Sequence, residues 1–288
     1  MIKKWLLSNL IGIIMSVVIL IFTFGLLYSL LHRNEIITEP QNIPLRTGPG
    51  IAYSQKEKLK RHTKLHILSR RHGWYKVRCS DNEKVGWIAG WLPENQSLQK
   101  ITPLSESTIV LDAGHGGNDT GALSNDNNHY EKTYTLSTVK KIQQQLVQQG
   151  ARVILTRKDD TLVPLLHIPT PAQKQQADAF ISIHYDSSSE DNTASGISQY
   201  YYHRSNGSKQ LAESLSQKFN DLPLHNRGVD TAGYIVIKNN SRPAVLLEMG
   251  FINNDDDFQY IRSQDYQQKI AQRITFGLDN YIRKQIAD

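Results

Sequence analysis

The first strong pattern along the chain is an unbroken apolar run. From Trp5 to Leu31 no side chain is charged, and most are Leu, Ile, Val, Phe or Met. As a helix this run spans roughly 40 Å, more than the ~30 Å hydrocarbon core of a bilayer, and it predicts one transmembrane helix over 5–31. It ends in YSLLHRNE rather than in the small residues of a cleaved signal peptide. Residues 36–96 behave differently. Short runs such as LHILSR and WYKVRC alternate or mix β-formers and are broken by TGPG, RHGW and SDNEKVG, with no helical period. They predict a small all-β barrel, and SLQKITPLSE at 97–106 reads as a short linker.

From 107 to 288 strands alternate with helices. IVLDA, RVILTR and FISIHY read as strands. EKTYTLSTVKKIQQQLVQQG reads as an amphipathic helix with Leu136, Val139, Ile142 and Leu146 on one face and Gly150 as its stop. PAQKQQADA predicts a short helix, a second helix covers 207–220, and a last one runs from about Gln264 to Lys284. GISQYYY, YIVIKN and AVLLEMGF are placed among the strand segments. Such alternation implies an α/β sheet with helices on both faces.

Composition adds where the protein works. Cys79 is the single cysteine, so stability must come from ordinary cores rather than an internal disulfide. Residues 1–106 hold 15 Lys/Arg against 7 Asp/Glu, whereas residues 107–288 hold 18 against 20. The small domain is therefore the basic one. Lys58, Lys60, Arg61, Lys64, Arg70, Arg71 and Lys76 face only Glu57 between Lys56 and Arg78. Such a stretch is either a solvated strand face or a site for a polyanion such as a teichoic acid or anionic lipid. Nucleic acid is not expected for a domain held outside the cell. Trp74, Trp87 and Trp91 offer rings for sugar stacking, but in so small a barrel at least two are expected in the core. Lys3 and Lys4 favour an inside N-terminus, and Arg33 and Arg46 on the other flank weaken that bias.

Four residues carry candidate chemistry. His115, His184 and Glu248 end or follow strands, and Glu131 opens a helix. In an α/β sheet these positions converge beyond the strand ends, where ligands bind. Each has a bland reading by itself: a hydrogen-bonding histidine in a Gly-rich loop, a satisfied core histidine, a helix-start carboxylate favoured by the dipole. Glu248 is the anomaly, since a carboxylate inside AVLLEMGF must be paired, protonated or functional. Two histidines and one glutamate can hold a zinc ion with an open fourth position, and a second glutamate can act as base. One zinc site explains all four. His129, His167, His203 and His225 have no partners at recognisable spacing.

LDAGHGGNDTGA, the Glu131 helix, ISIHYDSS, NRGV and PAVLLEMGFINN resemble the zinc-dependent N-acetylmuramoyl-L-alanine amidase (type-3 amidase) family over about 180 residues. LRTGPGIAYS, GWYKVR and VGWIAGWL resemble a bacterial SH3 domain over about 60 residues, a module whose relatives bind cell-wall material. The whole layout is similar to membrane-anchored wall amidases of Gram-positive bacteria, which tips the orientation to a catalytic domain outside the cell. The resemblance implies a twisted, mostly parallel sheet of about six strands. It puts the zinc ligands on His115, Glu131 and His184 and the catalytic glutamate on Glu248. It makes peptidoglycan the substrate, cut between the muramic acid lactyl group and L-alanine. Arg227 is a candidate oxyanion helper and Asp112 a candidate to orient a ligand or shape the loop. The chain departs from the family's usual pattern at Ile168 and Gln173, where Arg and Asn are common, and at Asp186, where Asn is common. Two competing readings are a wall-binding scaffold with a degenerate site and a zinc peptidase acting on stem peptides; control by a membrane partner is a further expectation.

Overall fold

The computed structural model describes Trp5, residues 9–32 and residues 34–287. Lys3, Lys4 and Arg33, on which the charge bias rests, lie outside the described residues, as do residues 6–8 of the expected span. Helix α1 covers Leu10–His32. Its segment Leu10–Leu27 has a mean hydropathy of 2.8, and none of it is buried against the rest of the chain. Two of its hydroxyls are satisfied locally: Ser16 Oγ donates to the Gly12 carbonyl and Thr23 Oγ1 to the Ile19 carbonyl, each one turn back. Over Leu10–Leu27 the helix thus presents an apolar surface whose Ser and Thr hydroxyls are paired, as a hydrocarbon environment demands.

The small domain has six antiparallel strands: β1 Glu35–Ile37, β2 Ile43–Arg46, β3 Gln55–Leu59, β4 Lys64–Arg71, β5 Trp74–Cys79 and β6 Val85–Ala89. They form one sheet in the order β1-β4-β5-β6-β2-β3. Ile43, Leu45, Leu65, Val77, Ile88 and Leu92 are fully or almost fully buried inside it. The basic side chains at 58, 60, 61, 64, 70 and 71 stay exposed: Lys58 and Lys64 alternate with buried Leu59 and Leu65, Lys60 and Arg61 lie between β3 and β4, and Arg70 and Arg71 end β4 where it is exposed on both faces. Trp74 is core, and Trp91 packs edge-on against it at 6.0 Å.

The second sheet is built from β7 Thr108–Ala113, β8 Arg152–Leu155, β9 Ala179–Asp186, β10 Ile197–Tyr201, β11 Asn226–Thr231 and β12 Ala244–Phe251. Its order is β11-β10-β12-β9-β7-β8, all neighbours parallel except β10 against β12. The helices are α2 Glu131–Gln148, α3 Thr170–Lys174, α4 Ser208–Phe219, α5 Ile235–Lys238, α6 Asp255–Ile261 and α7 Gln264–Ala287. Strand periodicity divides the core. Ile109 and Leu111 of β7, Ile181, Ile183 and Tyr185 of β9, and Val245 and Leu247 of β12 join the large core that contains Val139, Ile142 and Leu146 of α2. Val110, Phe180, Leu246 and Ala244 join a smaller core with Val236, Ile237 and Ala172 of the short helices α5 and α3. Asp112, Ser182, His184 and Glu248 are in register with this second set, on the face with the thinner cover.

Three local features differ from the sequence pattern. YIVIKN is not a strand: Ile235–Lys238 is one helical turn that buries the adjacent pair Val236 and Ile237, which a strand would put on opposite faces. The sixth strand is instead NRGVDT, a polar edge strand paired only with β10, so no apolar alternation marks it. Helix α6 is signalled by NNDDD: Asn254 accepts from the amides of Asp256 and Asp257, with three aspartates in the first turn.

The segment 97–106 ends in a 3-10 turn, Leu104–Glu106, whose three residues are buried between the two sheets. Arg46 of β2 donates two hydrogen bonds to the Glu106 carboxylate, at 2.9 and 2.6 Å, with both residues at most 5 % exposed. Trp91 Nε1 donates to the carbonyls of Ser105 and Gly150, and Arg152 donates to the His72 carbonyl. These contacts lie at the starts of β7 and β8. The small domain is docked on the edge opposite the carboxyl ends of those strands.

Candidate metal centre and active site

Glu131 is the first residue of α2. The amides of the helix start are met by the loop before it, Glu131 N by the Ala122 carbonyl and Lys132 N by the Thr120 carbonyl. The Glu131 side chain is thereby free of capping duty and turns inward. It is 3 % exposed and bridges the two histidines: Oε2 lies 3.0 Å from His115 Nε2 and Oε1 3.0 Å from His184 Nδ1. The amides of Ala122 and Tyr185 donate to the same two oxygens at 2.9 Å each. One candidate ligand atom from each of His115, Glu131 and His184 lies within 4.8 Å of the others.

The loop that carries His115 is held from several sides. His115 adopts φ 64°, the left-handed region that side chains rarely occupy, and this turns its ring towards His184 at a centroid distance of 4.9 Å. Its Nδ1 is 2.9 Å from Asp119 Oδ2, which fixes the tautomer with Nε2 facing Glu131. Gly114 is required by close approach, since a Cβ there would overlap the His184 ring. Buried Arg157 donates to the carbonyls of Ala113, Gly114 and Lys132, tying the His115 loop to the first turn of α2. Sequence pattern does not single out Asp119 or Arg157. The one signal for Asp119 is its position four residues after His115; Arg157 gives none, because its partners are backbone carbonyls of distant segments.

The remaining sequence candidates separate clearly. Glu248 sits on β12 directly beside His184 of β9 in the parallel register, 7 % exposed, and its Oε2 has no hydrogen-bond partner among the described residues. The Asp112 carboxylate is spent on hydroxyls and not on a histidine: it accepts from Thr156 Oγ1 at 2.6 Å and Ser182 Oγ at 2.7 Å, tying β7, β9 and the end of β8 together. Arg227 is exposed on β11 with its guanidinium 5.1 Å over the Phe251 ring. Asp186 closes β9 and accepts from the Ser187 amide. Ile168 is buried in the smaller core. His129 is bound to Tyr134 and packed on Phe258, away from the centre.

Charges reflect this packing. Burial works against an ionised Glu131, but hydrogen bonds and charge from His115 and His184 outweigh it and hold the carboxyl far below its ordinary range. Burial would likewise lower His184, yet Glu131 pushes it up to about 9, and His115 is raised in the same way. A buried carboxylate that raises both imidazoles around it marks a place built for positive charge. Burial raises Glu248 to about 8; His184 and His115 oppose the rise while Glu131 and Asp186 add to it. Two neutral imidazole nitrogens and one carboxylate are a donor set that suits a zinc-type divalent cation, and the orphaned Glu248 oxygen stands beside it. The residues fit the group.

Residues 109–280 match the family described as N-acetylmuramoyl-L-alanine amidase, and residues 42–94 match the bacterial SH3 domain. The probable cell wall amidase LytH of Staphylococcus epidermidis is 38 % identical over 256 residues, covering 85 % of this chain and 84 % of the relative. Its namesake in Staphylococcus saprophyticus is 35 % identical over 289 residues, covering 97 % and 96 %. The crystal structure of an N-acetylmuramoyl-L-alanine amidase from Clostridium difficile 630 superposes with a TM-score of 0.60 at 33 % identity, covering 62 % of this chain and 97 % of that one. With its mostly parallel sheet, its His–Glu–His group and a match through most of its length, the chain belongs to the N-acetylmuramoyl-L-alanine amidase family, here joined to a bacterial SH3 domain.

Proposed function

We propose that this protein is a membrane-anchored, zinc-dependent hydrolase that cuts the amide between the lactyl group of muramic acid and L-alanine in peptidoglycan. The observation that carries the reading is the buried His115–Glu131–His184 group with the unpartnered Glu248 oxygen one strand away. Zinc held by those three residues would supply positive charge for the attacking water and the scissile carbonyl. Glu248 takes the proton of that water and passes it to the leaving alanine nitrogen. His115 and His184 are kept in their binding orientation by Asp119 and by the close packing of Gly114. Asp112 and Arg157 hold the strand ends and loop on which this depends.

The apolar, uncovered α1 supports a single membrane span, and a cell-wall substrate requires the two folded domains on the outer side. The exposed basic side chains of β3 and β4 support contact with anionic wall polymers. A membrane protein that activates the enzyme through α1 is part of the same reading. The test is digestion of purified peptidoglycan by the full chain in detergent with zinc, read by mass spectrometry. Peptides with a free L-alanine terminus are expected from the wild type. Glu248→Gln should lower their release by about 10²–10⁴-fold at unchanged zinc content. Products cleaved inside the stem peptide would instead identify a peptidase.

A further inference from the structure

A cavity of about 330 Å³ opens against the imidazoles of His115 and His184. Its remaining walls are mainly apolar: Leu162, Val163, Pro164 and Leu165 from the segment after β8, Ile168, and Val236 of α5. Ile168 and Val236 are 8 % and 4 % exposed and packed with Phe180 and Leu246, so the floor is part of the sheet's smaller core. Leu162 and Leu165, about half exposed, stand at its mouth. Two carboxylates border the cavity and both are engaged, Asp112 with Thr156 and Ser182, Asp119 with His115 and Gly121. A group entering here meets hydrocarbon.

The strand order decides which end of the substrate enters. Glu248 lies on β12, next to His184 of β9, and is not among the cavity's walls. Most of the cavity's walls lie on the other side of His184, where Asp112 and Ala113 belong to β7 and Leu162–Leu165 come after β8, while Val236, packed with Leu246 of β12, closes its floor. A residue that returns a proton to the departing nitrogen must stand beside it, so the amine half of the amide points towards β12. The acyl half then points towards β7 and β8. In muramoyl-alanine the carbon next to the scissile carbonyl carries a methyl group.

We propose that this cavity is the acyl-side subsite, gripping the lactyl methyl of muramic acid, with Ile168, Leu165 and Val236 setting its shape. The inference rests on the amidase reading and adds the element that selects the acyl group. A methyl buried in such a pocket is worth about 10-fold or more in discrimination.

The test compares N-acetylmuramoyl-L-alanyl-D-isoglutamine with its analogue lacking the lactyl methyl, using the full chain in detergent with zinc. Cleavage is monitored by mass spectrometry, and affinity is measured on Glu248→Gln protein by calorimetry. The wild type is expected to favour the methylated compound by about 10-fold. Ile168→Val and Leu165→Ala should each shrink that ratio, whereas Leu166→Ala, outside the cavity, should keep it. Equal handling of the two compounds, binding of neither, or a ratio untouched by both cavity variants would overturn the subsite. A 10-fold affinity ratio on Glu248→Gln leaves the subsite standing whether or not the chain cleaves alone, whereas cleavage between L-alanine and D-isoglutamine instead of at the lactyl amide would sink the amidase reading.

Discussion

Glu248 and its neighbour Asp186 show how single side chains set the chemistry. Asp186 stands at the end of β9, and its negative charge is one of the causes that raise Glu248, behind burial. A base must be ionised to work, so activity rises with pH through the Glu248 pKa. Asp186→Asn removes a charge that favours the protonated form, and the acid limb of kcat/KM should move to lower pH. A pH profile recorded beside the wild type checks it; an unmoved limb would separate Asp186 from the base. Asp119 acts differently, through His115. Asp119→Ala frees the ring to rotate and leaves the Gly121 amide without its acceptor. Zinc affinity should fall by about 10–100-fold, measured by chelator competition.

Among the elements, β7 and the loop after it carry most of the constraint. β7 is buried along its whole length, so its apolar run is recognisable directly. The geometry of the loop is not legible in the same way. His115 holds a positive φ, and Gly114 passes so close to His184 that a methyl group would overlap the ring. Gly114→Ala should therefore displace His184, with a stability loss of about 1–3 kcal/mol. Metal binding should weaken far more than the thermal midpoint shifts, and titration of zinc beside a melting curve compares the two. β11 and α5 mark the limit of pattern reading. An edge strand with one neighbour carries no apolar alternation, and a single helical turn is too short to show a 3.6-residue period.

At the scale of the whole molecule, the two domains that follow α1 are joined without slack. Arg46 and Glu106 form a buried, bidentate pair between them, flanked by the Trp91 and Arg152 hydrogen bonds. Glu106→Ala leaves the Arg46 guanidinium buried beside only the carbonyls of Ile51 and Tyr53, and should cost about 3–5 kcal/mol. Replacing both partners, Arg46→Met with Glu106→Leu, should recover most of it. Denaturant titrations of the three proteins decide this; equal losses in single and double variants would place the stabilisation elsewhere. Because the junction sits at the starts of β7 and β8, the edge that carries His115 and His184 faces away from the small domain. The SH3 module and the His115–Glu131–His184 group are thereby held in one fixed orientation.

The amino-acid sequence by itself determined the order of parts and singled out His115, Glu131, His184 and Glu248, which the structure brings together. An apolar run, a change from period-2 to mixed periodicity, and a carboxylate inside an apolar strand are local signals that survive without coordinates. Tertiary structure alone decided what surrounds those residues. Asp112 binds Thr156 and Ser182, Arg157 clamps three carbonyls, and the end of the segment that reads as a linker lies buried between the domains. Those roles depend on which distant backbone groups arrive beside a side chain, and that is settled only when the strands pair.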